Sequence, residues 1–74
     1  MPEVEVFRTD VACPHTAAAL LRCLRVHFPT WRITFDLDDC DRILRVASPD
    51  APPDAQAVAA LLHTRGYACT PLPD

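Results

Sequence analysis

Apolar and polar residues alternate most regularly between positions 31 and 38, in the run Trp-Arg-Ile-Thr-Phe-Asp-Leu-Asp. The odd positions are apolar and the even positions are polar, which is typical of a strand with one buried and one solvent-facing side. A looser alternation over residues 4–9 predicts an earlier strand. Residues 42–47 predict a third strand, in which Leu44 and Val46 face the core.

A spacing of three and four residues predicts a first helix after residue 13. Its start is indicated by Cys13 at the N-cap and by Pro14, because proline is tolerated at the first helical position. Its end is indicated by Pro29, which disfavours helical geometry at the residue before it. The apolar side chains share one helical face, and they are Ala17, Leu20, Leu21, Leu24 and Phe28.

A second helix is predicted to begin after Asp54, which is a favoured N-cap residue. Val58, Leu61 and Leu62 form its apolar stripe, and Gly66 stands where a helix-ending glycine belongs. Residues 67–72 predict a short last strand. The order β-α-β-β-α-β predicts an α+β, ferredoxin-like fold, with two helices on one face of an antiparallel sheet in the strand order 4-1-3-2.

The composition limits the classes of function. The chain has 74 residues, half of them apolar, so we expect one globular domain over residues 1–74. A net charge of −3 argues against a nucleic-acid partner. No secretory leader and no apolar run of membrane-spanning length is apparent, so we expect a cytoplasmic protein with reduced cysteines and no membrane partner. The single glycine excludes a glycine-rich phosphate loop, and we expect no enzymatic activity.

Three residues are candidates for a metal site. The predicted topology places Cys13, His15 and Cys40 at one end of the fold, together with Arg65. A helix N-terminus favours the thiolate form of Cys13, and thiolates are good ligands for soft ions. Cu(I) or Zn could therefore be held by Cys13 with His15 or Cys40. The alternative is that Cys13 is a small, half-buried residue at the helix N-terminus and Cys40 a turn residue, with no cofactor.

The chain resembles the heavy-metal-associated domain family over nearly its whole length. Residues 11–13 look like the family's Met-x-Cys, residues 33–37 its second strand, and Gly66-Tyr67 the start of its last strand. Residues 35–46 are more similar still to small bacterial proteins of this fold that have no assigned function. The resemblance implies the fold, and it implies a metal-ligand role for Cys13 alone. Thr16 stands where the family has its second cysteine, and Asp10 where it has a glycine.

The open face of the sheet is the other candidate surface. If strand three buries Leu44 and Val46, then Ile43 and Arg45 point outward. Phe7 would join them if Val4 and Val6 are the buried pair of strand one. The leading hypothesis is therefore a protein-interaction or regulatory module that uses Phe7 and Ile43, and the alternative is a soft-metal carrier.

Two further residues of the first helix are predicted to have no functional role. Cys23 is predicted to be a packing residue of the first helix. His27 is predicted to be solvated on the outer side of the same helix.

Overall fold

The computed structural model describes residues 3–37, 42–49 and 51–72. The described ranges contain two helices and four strands, in the predicted order. They are β1 (Glu3–Thr9), α1 (Pro14–His27), β2 (Arg32–Asp36), β3 (Ile43–Ser48), α2 (Ala55–Thr64) and β4 (Cys69–Pro71).

The four strands form one antiparallel sheet. β3 pairs with β2 on one side and with β1 on the other, and β1 also pairs with β4. The order across the sheet is therefore β2-β3-β1-β4. Read from the opposite edge it is 4-1-3-2, the order that the crossover rules predict. An α+β chain with two helices and this sheet is compatible with a ferredoxin-like fold.

Helix α1 has the predicted boundaries because its ends carry the expected residues. Cys13 is the N-cap and Pro14 the first helical residue. Phe28 ends the helix with a backbone N–H that donates to the Leu24 carbonyl at 2.7 Å. Pro29 follows immediately and prevents helical geometry at Phe28.

Helix α2 is stabilised at both ends by the residues that predicted it. The Asp54 carboxylate accepts a hydrogen bond of 3.1 Å from the backbone N–H of Ala57, which satisfies one of the free donors of the first turn. At the other end Gly66 has a φ of +90°. The N–H groups of Gly66 and Tyr67 donate back to the last turn of α2, in the pattern of a Schellman motif.

One core lies between the sheet and the helices. Both helices contribute to the same buried cluster, so they lie on the same face of the sheet. Helix α1 packs over β2 and α2 packs over β4. The buried members of the cluster are Phe7, Val11, Ala17, Leu20, Leu24, Ile33, Leu44, Val46, Val58, Leu62 and Cys69.

The orientation of β1 is the opposite of the one that the predicted Phe7 surface required. Phe7 is fully buried opposite Leu44, whereas Val4 is 51% exposed. Glu3 and Glu5, on the side of Phe7, lie at the start of the strand and stay exposed and half-buried, respectively. Arg8 favours the observed orientation, because it lies on the same side of β1 as Val4 and Val6. Burying that side would place an unpaired guanidinium in the core, which costs more than exposing the two valines.

The end of β1 is tied to the start of β3 by a buried hydroxyl. The Thr9 hydroxyl donates to the Arg42 carbonyl at 2.7 Å, and its oxygen accepts from the Val11 N–H at 3.2 Å. A buried polar group is tolerated when it is hydrogen-bonded in this way. Thr9 therefore fixes the direction in which the chain leaves β1, toward the turn that holds Cys13.

Candidate functional site

The turn between β1 and α1 presents Cys13 to solvent. Its backbone is extended, with φ −93° and ψ 127°, and its side chain makes no capping hydrogen bond. The side chain is exposed and the thiol is free. The prediction that Cys13 stands at the N-cap is therefore confirmed.

The helix start lowers the pKa of the Cys13 thiol below its ordinary value of 9.0. The largest cause is the backbone N–H of Thr16, followed by the backbone N–H of His15 and the Thr16 hydroxyl. Each of these donors stabilises the negative charge of the thiolate. Thr16 thus acts on the Cys13 thiol through both its backbone and its side chain.

His15 and Arg65 lie at the same end of the fold, as the predicted topology requires. Both residues line one shallow groove between the start of α1 and the turn after α2, together with Thr16, Ala19, Leu20 and Tyr67. Cys40, the third predicted ligand, lies outside the described residues. Within the described ranges, no group of three or more His, Cys, Asp or Glu side chains could hold a metal ion.

Asp10 joins the site turn to the last turn of the fold. Its carboxylate accepts a hydrogen bond of 2.8 Å from the backbone N–H of Ala68. The two residues are 58 positions apart, so sequence spacing does not reveal the contact. Asp10 therefore holds the β1–α1 turn against the α2–β4 turn, where a glycine has no side chain to do so.

Cys23, His27 and Arg65 form a small polar cluster on the outer side of the helices. The Arg65 guanidinium donates to the Cys23 sulfur at 3.0 Å, and His27 Nδ1 lies 4.0 Å from the same sulfur. His27 Nδ1 is also 3.0 Å from the Cys23 carbonyl oxygen. Cys23 is therefore half-buried and hydrogen-bonded, and His27 is exposed but has a partner.

The cluster was missed because its contacts depend on tertiary structure. Arg65 follows α2 and Cys23 is on α1, 42 residues earlier in the chain. The only signal in the sequence is the four-residue spacing of Cys23 and His27, which places both on one side of a helix. The contact between the guanidinium and the sulfur connects the residue that follows α2 to helix α1.

The open face of the sheet differs from the predicted surface. Phe7 is absent from it, because this side chain faces the helices and is fully buried. Ile43 lies on the open side of β3, but it is only 5% exposed. Arg8 of β1 and Asp36 of β2 are its direct neighbours in the sheet. The predicted pair Phe7 and Ile43 therefore offers no apolar contact surface.

Three arginines dominate the open face instead. Arg32, Arg45 and Arg8 lie on the adjacent strands β2, β3 and β1, and all three are exposed. Each is the diagonal neighbour of the next, because Arg45 is opposite Thr34 and Val6. Diagonal neighbours in a sheet are about 7–8 Å apart. We refer to Arg8, Arg32 and Arg45 as the arginine stripe.

The arginine stripe has no partner within the described part of the chain. None of its three guanidinium groups forms a hydrogen bond or an ion pair with another described residue. Asp36 is the single acidic residue on the open side of β1, β2 and β3. The stripe is thus a positive region on a chain whose net charge is −3.

Comparison with protein-family models, with curated proteins and with solved structures finds no match. The heavy-metal-associated resemblance stays a prediction from the motifs. None of the helices in the described ranges has the length and apolar character needed to cross a membrane.

Proposed function

We propose that this chain is a small protein-interaction module that binds an acidic segment of a partner protein on its open sheet face. The observation that carries the proposal is the arginine stripe, which presents three unpaired guanidinium groups on adjacent strands. Arginine binds carboxylates in bidentate geometry, so each position of the stripe offers a directed contact.

The spacing of the stripe suits an extended peptide. Successive arginines are about 7–8 Å apart, and alternate side chains of an extended chain repeat every 6.4–6.8 Å or so. Carboxylates at alternate positions of a partner strand could therefore meet the stripe one by one. Val4, which is 51% exposed on the same face, is a further diagonal neighbour of Arg45 and adds an apolar contact beside the stripe.

An acidic protein segment fits this face better than nucleic acid does. Single-stranded nucleic acid is bound by aromatic side chains on which the bases stack. The open-face residues of the described strands include no aromatic side chain, since Phe7 is in the core. The proposal assigns no chemical reaction to the chain, and it includes a cytoplasmic location, consistent with the free thiols of Cys13, Cys23 and Cys69.

The test is the binding of a fluorescently labelled oligoglutamate peptide, followed by anisotropy at low and high salt. Arg45→Glu should weaken binding by about tenfold or more, since it replaces the central attraction of the stripe by repulsion. Arg22→Glu is the matched control, because it makes the same change at an exposed position of α1 on the other side of the molecule. Equal affinities for the two variants, or binding insensitive to salt, would contradict the proposal.

A soft-metal carrier is the second candidate, and the exposed Cys13 thiol with its lowered pKa favours it. Cu(I) could be held by this thiolate together with His15 or Cys40. Thr16→Cys would create the family's cysteine pair, and we expect it to raise Cu(I) affinity by orders of magnitude in a titration against a chelator. If the parent protein already binds one Cu(I) as tightly as this variant, the carrier is the better description.

A further inference from the structure

Strand β2 is an edge strand with a free backbone. It pairs with β3 on one side, and no other described strand pairs with it. Its five residues, Arg-Ile-Thr-Phe-Asp, contain no proline. An edge of this kind is a template for a further strand.

The sequence of β2 is complementary to itself in antiparallel orientation. If two copies pair about Thr34, Arg32 of each copy lies opposite Asp36 of the other. On the other face of the sheet, Ile33 then lies opposite Phe35. Both charged positions are on the open side of β2, where they are exposed. This register pairs every residue of the strand with a suitable partner.

The apolar residues beside the β2 edge extend the same complementarity. Trp31, Phe35 and Leu37 are only half-buried, although they pack against the core. Trp31 is stacked on Phe28, with ring centroids 4.2 Å apart and an interplanar angle of 10°. In the register about Thr34, Trp31 faces Leu37 of the second copy, so apolar surface is opposite apolar surface along the helix side of the junction.

We propose that the chain forms a symmetric dimer through antiparallel pairing of its two β2 strands, giving a continuous eight-stranded sheet. The partner is a second copy of this chain, because both the charges and the apolar residues of the edge match their own reverse order. This inference goes beyond the proposed function, since it rests on the free backbone edge of β2 and on a second copy of the chain. Arg32 is the one residue that the β2 edge shares with the arginine stripe.

The dimer is tested by sedimentation equilibrium over a range of concentrations, with circular dichroism to show that each variant is folded. The register brings residue 32 of one copy opposite residue 36 of the other at each end of the junction. Arg32→Asp therefore places a pair of carboxylates at each end, and Asp36→Arg places a pair of guanidinium groups at each end. Each variant alone should dissociate at least about tenfold more readily than the parent. An equimolar mixture should recover the parent's association, because each charge of one variant then meets its opposite on the other.

Recovery of association in the mixture requires that residue 32 of one copy lies opposite residue 36 of the other. The mixture therefore tests the register of the two β2 strands as well as the use of the β2 edge. Arg45→Asp is the matched control, because it reverses an arginine on the open side of the central strand β3 and should leave association unchanged. A monomer at every concentration, or a dimer that all three substitutions leave intact, would overturn the proposal. Oligoglutamate binding by Arg45→Asp is measured separately, so loss of peptide binding on the open face and loss of dimer formation at the β2 edge are distinguishable.

Discussion

Among the described strands, β2 and β4 each have one side of their backbone without a neighbouring strand, but they are built differently. β4 has three residues and ends in Pro71, whereas β2 has five residues and no proline. A short strand and a terminal proline both discourage further pairing. The β4 edge is therefore closed to a further strand, and the β2 edge is open to one.

Both edges of the sheet pack against the core, but polar contacts flank the β4 edge and half-buried aromatic rings flank the β2 edge. Near β4, the carboxylate of Asp10 accepts from the Ala68 N–H at 2.8 Å, and His63 Nε2 lies 3.2 Å from the Cys69 carbonyl oxygen. Near β2, the stacked rings of Phe28 and Trp31 lie over the edge of the core. The polar groups near β4 already have hydrogen-bond partners, whereas the half-buried apolar groups near β2 leave surface that a second chain can cover.

The largest expected effect comes from the core beneath the β2 side. Leu24 is fully buried, and Leu24→Ala should lower the free energy of unfolding by about 2–5 kcal/mol, because a cavity remains beneath the helix. Urea denaturation measures the change. Val26→Ala, at a position on the same helix that is 78% exposed, is the control and should change little. A small loss at Leu24 would show that the β2 side does not depend on apolar packing.

On the β4 side we expect a smaller effect, because a hydrogen bond contributes less than a buried leucine. Asp10→Ala removes the acceptor of the Ala68 N–H and should lower the free energy of unfolding by about 1 kcal/mol. Asp10→Asn keeps an acceptor oxygen and should retain most of the stability. If both variants are as stable as the parent, the contact between the two turns does not stabilise the fold.

The buried thiol of Cys69 makes the stability of the fold depend on pH in the alkaline range. Burial raises the pKa of Cys69 from its ordinary value of 9.0 to about 11. Above pH 9 the unfolded chain loses this proton while the folded chain keeps it, so stability should fall as the pH rises from about 9 to 11. Cys69→Ala should show a shallower decline in urea midpoints over that interval. Identical slopes for the two proteins would mean that the thiol is not protected at the β4 edge.

The last expected effect changes a rate and leaves stability unaltered. With Cys40→Ser as the background, Cys13 should react with iodoacetamide faster than Cys23 and much faster than Cys69. Cys13 is exposed and its pKa is lowered, while burial raises the pKa of Cys69. Mass spectrometry of quenched samples gives the three rates. A faster reaction at Cys23 would contradict activation of Cys13 by the helix start, and it would indicate that Arg65 activates the Cys23 thiol instead.

The sequence predicted those parts of the fold whose signals are local. The alternation around Ile33, the cap at Asp54 and the turn at Gly66 each depend on a few adjacent residues, and the structure confirms them. The orientation of β1 was not predictable in the same way, because Val4 and Val6 favour one face and Phe7 the other. Charged residues lie on both sides of β1, with Arg8 on the side of the valines and Glu3 and Glu5 on the side of Phe7, so the pattern does not distinguish the two orientations.

The candidate site was predictable only in part. Cys13 at the helix start follows from its position beside Pro14, and the structure confirms it. The contacts of Asp10 and Cys23 connect residues that are far apart in the chain, so no spacing rule finds them. The arginine stripe depends on strand register, which a sequence pattern alone left open.

The stacked pair Phe28 and Trp31 gives the molecule a built-in optical reporter. Trp31 is the only tryptophan of the chain, and it is half-buried beside the β2 edge. Intrinsic tryptophan fluorescence therefore comes from this single location. A strand added there would exclude water from the indole and shift its emission toward the blue, so occupancy of the edge can be followed in the unlabelled protein at any dilution the fluorescence allows.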